Sequence, residues 1–119
     1  IPFVSLRYSN VMEAHDYARF PAWQDDPAER RWNLWGYVAA EDVAQATRLA
    51  LETETAGHEA FLVAAADTCM TAPSEDLMEA VYPDVPFRRR VPGTETLISI
   101  DKARDLLGYE PAVTWRDRV

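Results

Sequence analysis

The sequence runs Ala60-Phe61-Leu62-Val63-Ala64-Ala65-Ala66 before Asp67, and this stretch decides the fold class. An apolar run without polar alternation is typical of a strand in the interior of a parallel sheet, which is covered on both faces. Residues 41–53, just before it, form the clearest helical pattern, with one apolar stripe of Val43, Ala46, Thr47, Ala50 and Leu51. A helix followed by a buried strand is half of a βαβ unit, so the predicted fold class is α/β.

The N-terminal half supplies shorter elements around this pair. Residues 3–8 (FVSLRY) predict another strand, covered on both faces near its start. Residues 10–27 predict a loop with one short helical turn at 14–19. The aromatic-rich residues 32–38 predict a short strand or an ordered loop. A helix is predicted to begin near residues 71–74 and to end before Pro83.

The C-terminal half is predicted to close with one strand, one helix and a docked tail. Residues 97–100 predict a short strand. Asp101 is expected to cap the helix that follows, with Leu106 among its inward residues and Gly108 at its C-terminal end. The tail, residues 109–119, holds a proline and a tryptophan and is expected to be irregular but docked on the fold.

Composition excludes several classes of protein. A chain of 119 residues with 48% hydrophobic residues fits one folded domain rather than a disordered segment. No stretch approaches ~18 consecutive apolar residues, which excludes a membrane span. The net charge of −8 repels phosphate backbones and anionic lipids, so it argues against a nucleic-acid or membrane partner. The single cysteine, Cys69, indicates the cytoplasm and is expected to fill an apolar pocket beside a strand end.

The common catalytic motifs are absent. The glycines, at positions 36, 57, 93 and 108, cannot form a phosphate-binding loop. The only lysine, Lys102, follows Ile98 by four residues, so no Tyr-x-x-x-Lys pair exists, and no residues have metal-ligand spacing. Ser99 and Lys102 match the S-x-x-K pattern of serine acyl enzymes. The favoured interpretation is a helix N-cap, in which Asp101 or Ser99 accepts first-turn amide hydrogens and Lys102 lies in solvent, and an independent hydrolase is the weaker alternative.

Two features leave alternatives open. Trp23, Trp32, Trp35 and Tyr37 crowd one region, where a compact aromatic core is the favoured interpretation and a surface that stacks on a sugar or base is the alternative. The three arginines at 88–90 lie in the predicted loop 84–93. They could clamp a phosphate or simply be solvated, and the two interpretations are evenly balanced.

Four segments, taken in order, resemble the C-terminal part of NAD-dependent epimerase/dehydratases, the extended short-chain dehydrogenase/reductases. They are LRYSNV at 6–11, WGYVAAEDVAQA at 35–46, the strand at 61–67 and SIDKARDLLGYEP at 99–111. The resemblance implies a single unit, residues 1–119, that combines a small substrate-binding lobe with the last Rossmann strands, at about 3–9 and 60–66. The Gly-rich loop and the catalytic Ser, Tyr and Lys of the family would precede Ile1, so the chain is expected to be part of a longer protein.

The resemblance also implies binding residues. It assigns to the nicotinamide cofactor Tyr8, Ser9 and Val11, and to a sugar-like substrate Asn10, Met12, Trp35 and Arg90. It implies NAD or NADP in the intact parent, with no cofactor bound by this chain alone and no catalytic residue or metal within it. Trp35 stands where members acting on nucleotide sugars often have an arginine, so other sugar or polyol carbonyl substrates fit as well.

The expected function is therefore the substrate-binding portion of an NAD(P)-dependent epimerase, dehydratase or reductase, inactive in isolation. The alternative is a stand-alone ligand-binding or protein-interaction module derived from that family. Strands suited to a sheet interior would expose edges, and either another chain or a second copy of this chain is expected to cover those edges.

Overall fold

The computed structural model describes residues 1–119 and has the predicted α/β architecture. Three 3₁₀ helices, at Ala14–Arg19, Pro27–Asn33 and Trp115–Asp117, lie among the regular elements. None of the helices combines the length and apolar content needed to cross a bilayer. The strands and α-helices, in chain order, are β1 (Phe3–Tyr8), β2 (Val11–Met12), α1 (Phe20–Trp23), β3 (Val38–Ala39), α2 (Ala40–Glu52), β4 (His58–Val63), α3 (Ser74–Val81) and α4 (Asp101–Leu107).

The strands pair in parallel, as the apolar run predicts. β1 lies beside β4 in a register that joins Phe3 to His58 and Tyr8 to Val63, and β2 lies beside β3. The prediction that β1 is covered on both faces near its start is wrong, because Phe3 is 62% exposed. With only two strands in the sheet, one edge of β1 and one edge of β4 have no neighbour in this chain.

Helix α2 is confirmed, but its buried face differs from the predicted stripe. Leu51, predicted to face inward, is 84% exposed, whereas Asp42 is buried. The physical reason is that the Asp42 carboxylate accepts the backbone N–H groups of Ala112 (3.0 Å) and Val113 (3.1 Å). These bonds hold the C-terminal tail over the first turn of α2 and bury it.

The C-terminal elements are partly as predicted. Gly108 ends α4 with φ +71°, a conformation that favours glycine, as predicted. Asp101 is the first helical residue and does not cap the helix, since Ile100 occupies the N-cap position, and Leu106 is exposed rather than inward. No strand forms at 97–100, because the backbone there turns, with the Ile98 N–H donating to the Thr96 hydroxyl oxygen.

The interior consists of two clusters. One lies between β4, α2 and α4 and includes Phe61, Val63 and Leu107. The other lies under the loop-rich lobe and confirms the aromatic core for three of the four crowded aromatic residues, because it holds Trp23, Trp35 and Tyr37. The fourth, Trp32, is 67% exposed. The predicted docking of the tail is confirmed by its buried members, Tyr109 and Trp115.

Cys69 is buried in the aromatic cluster, as predicted. Burial raises the pKa of its thiol to about 11, so the thiol stays protonated at neutral pH. We expect the folded protein to react with a disulfide reagent roughly 100-fold more slowly than the denatured protein, because the thiolate is the nucleophile. Thiol titration with and without denaturant, with Cys69→Ala as the blank, measures this ratio. Rapid reaction of the folded chain would show that the thiol is accessible.

Candidate functional site

A cleft opens where the two paired strands end. The last residues of β1 and β4, Tyr8 and Val63, are in register, and the carboxyl end of a parallel sheet is where ligands of open α/β folds bind. The cleft has a volume of ≈ 590 Å³. Its lining combines strand-end residues, the end of the Pro27–Asn33 helix and the segment before α4, namely Arg7, Tyr8, Ser9, Asn10, Trp32, Asn33, Leu34, Leu62, Leu97, Ile98 and Ser99.

Three sequence-predicted residues come together in this cleft. Tyr8 is 43% exposed, and its hydroxyl group is hydrogen-bonded to that of Thr47 at 3.1 Å. Ser9 follows it, half-buried. The backbone carbonyl of Asn10 accepts the N–H of Val38 (2.9 Å), whereas its side-chain amide makes no hydrogen bond within the protein. A carboxamide without a partner can both donate to and accept from a ligand.

Val11 lies beside the cleft, and two other predicted residues are directed into the core. Val11 is 41% exposed in β2, while Met12 is 2% exposed and Trp35 is fully buried. The Trp35 indole N–H donates to the carbonyl of Pro27 at 2.7 Å, which draws the ring inward. The side chains of Met12 and Trp35 therefore support the lobe and do not line the cleft.

Arg90 lies outside the cleft, in an ion pair with Glu75 of α3 at 2.8 Å. Its neighbour Arg89 pairs with Glu95 at 2.6 Å. Arg88 has no ion pair and lines a second cleft of ≈ 490 Å³. The two clefts share Leu34, Leu97 and Ser99, so they adjoin. Of the three loop arginines, Arg88 is thus the one without a partner next to the site.

The Pro27–Asn33 helix brings two residues to the cleft that sequence reasoning did not assign to it, Trp32 and Asn33. Gly36 permits this approach. A β-carbon at Gly36 would lie 2.7 Å from the Ser9 hydroxyl oxygen and 3.1 Å from the Asn33 carbonyl oxygen. The aromatic-rich composition of 32–38 was the available signal, but it did not indicate which side chains would face outward.

The Ser99–Lys102 pair does not form a catalytic dyad. The Lys102 ammonium group binds Glu59 at 2.7 Å and the Ala60 carbonyl at 2.9 Å, and no hydrogen bond joins it to Ser99. The favoured N-cap interpretation is also wrong in detail, because Ile100 occupies the N-cap position without a side-chain cap and Lys102 is paired with Glu59 rather than free in solvent. Nothing in the cleft activates the Ser99 hydroxyl as a nucleophile.

Comparison with known proteins gives matches among solved structures only. No family model and no curated protein matches the chain. UDP-glucuronic acid 4-epimerase from Bacillus cereus, as a mutant in complex with UDP-4-deoxy-4-fluoro-glucuronic acid and NAD, aligns with a TM-score of 0.55 at 24% identity. The alignment covers 98% of this chain and 42% of the epimerase. The same enzyme in complex with UDP-glucuronic acid and NAD aligns with a TM-score of 0.54, also at 24% identity.

The chain has an α/β fold with parallel strands that matches part of this epimerase. The resemblance seen in the four sequence segments is thereby confirmed for the fold. The chain spans less than half the length of the epimerase that it matches. Within this fold, the cleft lies at the carboxyl ends of the parallel pair β1 and β4.

Proposed function

We propose that the chain is the substrate-binding portion of an NAD(P)-dependent epimerase, dehydratase or reductase that acts on a sugar or a related polyol carbonyl compound. The observation that carries the proposal is the cleft itself, at the carboxyl ends of two parallel strands with Asn10 unpartnered in its wall. The epimerase of the same fold is described in complex with NAD and a UDP-linked sugar acid, which supports that ligand class for this cleft.

Each part of the cleft then has a proposed role. Tyr8, Ser9 and Val11 form the wall nearest the nicotinamide, and the Asn10 amide binds a substrate hydroxyl or carbonyl group. Arg88 is the proposed partner for an anionic substituent of the substrate, because it lines the adjoining cleft and its guanidinium group makes no ion pair within the chain. In this proposal Met12 and Trp35 act only through the core, and Arg90 acts only through its pair with Glu75.

The residues present fit one side of a nicotinamide group but not a complete cofactor site. Tyr8 offers a partly exposed aromatic ring at the strand end, and the Ser9 hydroxyl oxygen beside it is buried without a hydrogen-bond partner, whereas no glycine of the chain belongs to a dinucleotide-binding loop. NAD or NADP, when bound in the parent enzyme, would supply hydride transfer. This chain alone would orient the substrate and would not turn it over, since a correctly positioned acid/base is required as well.

The competing proposal is a non-catalytic interaction module, and it also has an observation in its favour. The unpaired edges of β1 and β4, together with exposed Phe3 and Leu51, present apolar surface that a partner would cover. A second copy of the chain is the proposed partner for those edges. The single buried thiol, Cys69, supports the reducing cytoplasm as the proposed compartment for either function.

Ligand-observed NMR by saturation transfer tests the substrate proposal, with UDP-glucuronic acid, UDP-glucose, dTDP-glucose and GDP-mannose as probes. We expect at least one probe to bind, and Asn10→Ala to weaken that binding about fivefold to tenfold, the value of one or two hydrogen bonds. Thr55→Ala, at the opposite end of the sheet, is the matched control and should bind normally. An interaction module would bind none of the four probes, and normal binding by Asn10→Ala would remove Asn10 from the site.

A further inference from the structure

Trp32 is the one tryptophan of the chain with its side chain in solvent. It is 67% exposed, while Trp23, Trp35 and Trp115 are buried. It stands near the end of the Pro27–Asn33 helix and lines the cleft that also holds Asn10. Ligand sites commonly hold an exposed aromatic side chain. Its ring contributes much of the contact area with the ligand, and the polar groups around it fix the ligand's orientation.

Arg30 holds this ring from the protein side. Its guanidinium carbon lies 4.1 Å from the centre of the Trp23 ring and 5.3 Å from the centre of the Trp32 ring. Two of its nitrogens, Nε and Nη2, are buried without a hydrogen-bond acceptor, and Arg30 has no ion pair. The contacts of Arg30 are therefore with the two rings. Because Arg30 packs against it, the Trp32 side chain loses little conformational freedom when a ligand binds.

The surroundings of Trp32 match the chemistry of a sugar ring. A pyranose presents C–H groups on its face, which are attracted to the negative face of an aromatic ring, and hydroxyl groups at its rim. The unpartnered Asn10 amide and the exposed Ser99 hydroxyl lie in the same cleft and can meet such a rim. Arg88 lies in the adjoining cleft, so an anionic group attached to the sugar would extend there.

We propose that Trp32 is the platform on which the pyranose ring of the substrate stacks, and that Arg30 positions it. This inference rests on the proposed function and deepens it, because it names the group that selects a sugar ring over an acyclic carbonyl compound. The stacking alternative left open for the aromatic cluster thus applies to Trp32, while its three neighbours in that cluster form the core.

The same saturation-transfer experiment tests the inference when it is extended to three variants. With the tightest-binding sugar nucleotide as probe, we expect Trp32→Ala to weaken binding roughly tenfold and to lower the saturation received by the pyranose protons relative to the base protons. Trp32→Phe should restore part of the binding affinity and part of the saturation of the pyranose protons. Phe3→Ala, which removes an equally exposed aromatic ring at the far end of β1, should change neither.

Quenching of tryptophan fluorescence by iodide gives an independent measurement. We expect the sugar nucleotide to protect the accessible fluorescence of the unsubstituted protein, and Trp32→Ala to lack that accessible fraction. If Asn10→Ala weakens binding but Trp32→Ala binds normally with an unchanged saturation pattern, the platform is wrong and the proposed function stands. If no probe binds the unsubstituted chain, the proposed function fails and the inference fails with it.

Discussion

Replacing Trp35 with alanine is expected to lower the free energy of unfolding by about 3–5 kcal/mol, the usual cost of removing a large aromatic ring from a core. Trp35 is fully buried, donates its indole N–H to Pro27 at 2.7 Å and meets the ring of Tyr82 edge-on. The truncation leaves a cavity under the lobe and an unpaired carbonyl group. Urea unfolding monitored by circular dichroism measures the change.

Trp32→Ala is the matched control, since it removes the same side chain three positions away from a surface that is 67% exposed. Its expected cost is about 1 kcal/mol or less, the value of an exposed cation–π contact with Arg30. The two variants should therefore have different defects. Trp35→Ala should lose stability, and Trp32→Ala should lose sugar binding. A Trp35→Ala protein with unchanged stability and impaired binding would restore the ligand role that the sequence predicted for Trp35.

Replacing Asp67 with alanine is expected to cost about 3 kcal/mol, the lower end of the range for breaking a buried ion pair, because Arg116 is one-third exposed. The Asp67 carboxylate accepts hydrogen bonds from the Tyr37 hydroxyl (2.5 Å), the Thr114 hydroxyl (2.6 Å) and the Arg116 guanidinium group. Asp67, which follows the apolar run 60–66, thereby connects Tyr37 in the core to the C-terminal tail.

The protonation of Tyr37 follows from the same geometry. Burial, and then its hydrogen bond to Asp67, raise the pKa of Tyr37 far above its ordinary value of 10.0, so the hydroxyl group remains the donor. Tyr37→Phe is the graded control for Asp67→Ala. It removes two hydrogen bonds, the one that the hydroxyl donates to Asp67 and the one that it accepts from the Trp115 backbone N–H (2.9 Å), and should cost about 2 kcal/mol. Thermal and urea unfolding of both variants measure the difference. Equal losses in the two variants would mean that the tail contacts of Asp67 contribute nothing.

The architecture was predictable because its signals are local. The apolar run before Asp67 predicted a parallel strand, and β4 is one. Gly108 predicted the end of α4, because the left-handed conformation found there favours glycine. The buried face of α2 was not predictable, since Asp42 is buried by bonds to Ala112 and Val113, about 70 residues further along the chain.

The residues of the candidate site were likewise only partly predictable from the sequence. Tyr8, Ser9 and Asn10 were assigned through the family resemblance, and the structure places them at the carboxyl end of β1, where ligands of open α/β folds bind. Arg90 was chosen among three adjacent arginines, and the structure leaves Arg88 unpaired instead. Arg90 and Arg89 are occupied by ion pairs with Glu75 and Glu95. The sequence of three identical residues could not indicate which arginine would remain unpaired.

Local sequence signals were sufficient for the α/β class, the apolar strand β4, the helix α2 and the end of α4 at Gly108. These features depend on periodicity, turn residues and charge, which act between neighbours in the chain. The separation of the tryptophans between the core and the cleft depends on tertiary contacts. Leu34 and Trp35 adopt left-handed backbone angles, with φ +54° and +57°, and the chain reverses there. Trp35 turns toward Pro27 and Tyr82 while Trp32 remains outside, because burial depends on partners that the folded chain brings from a distance.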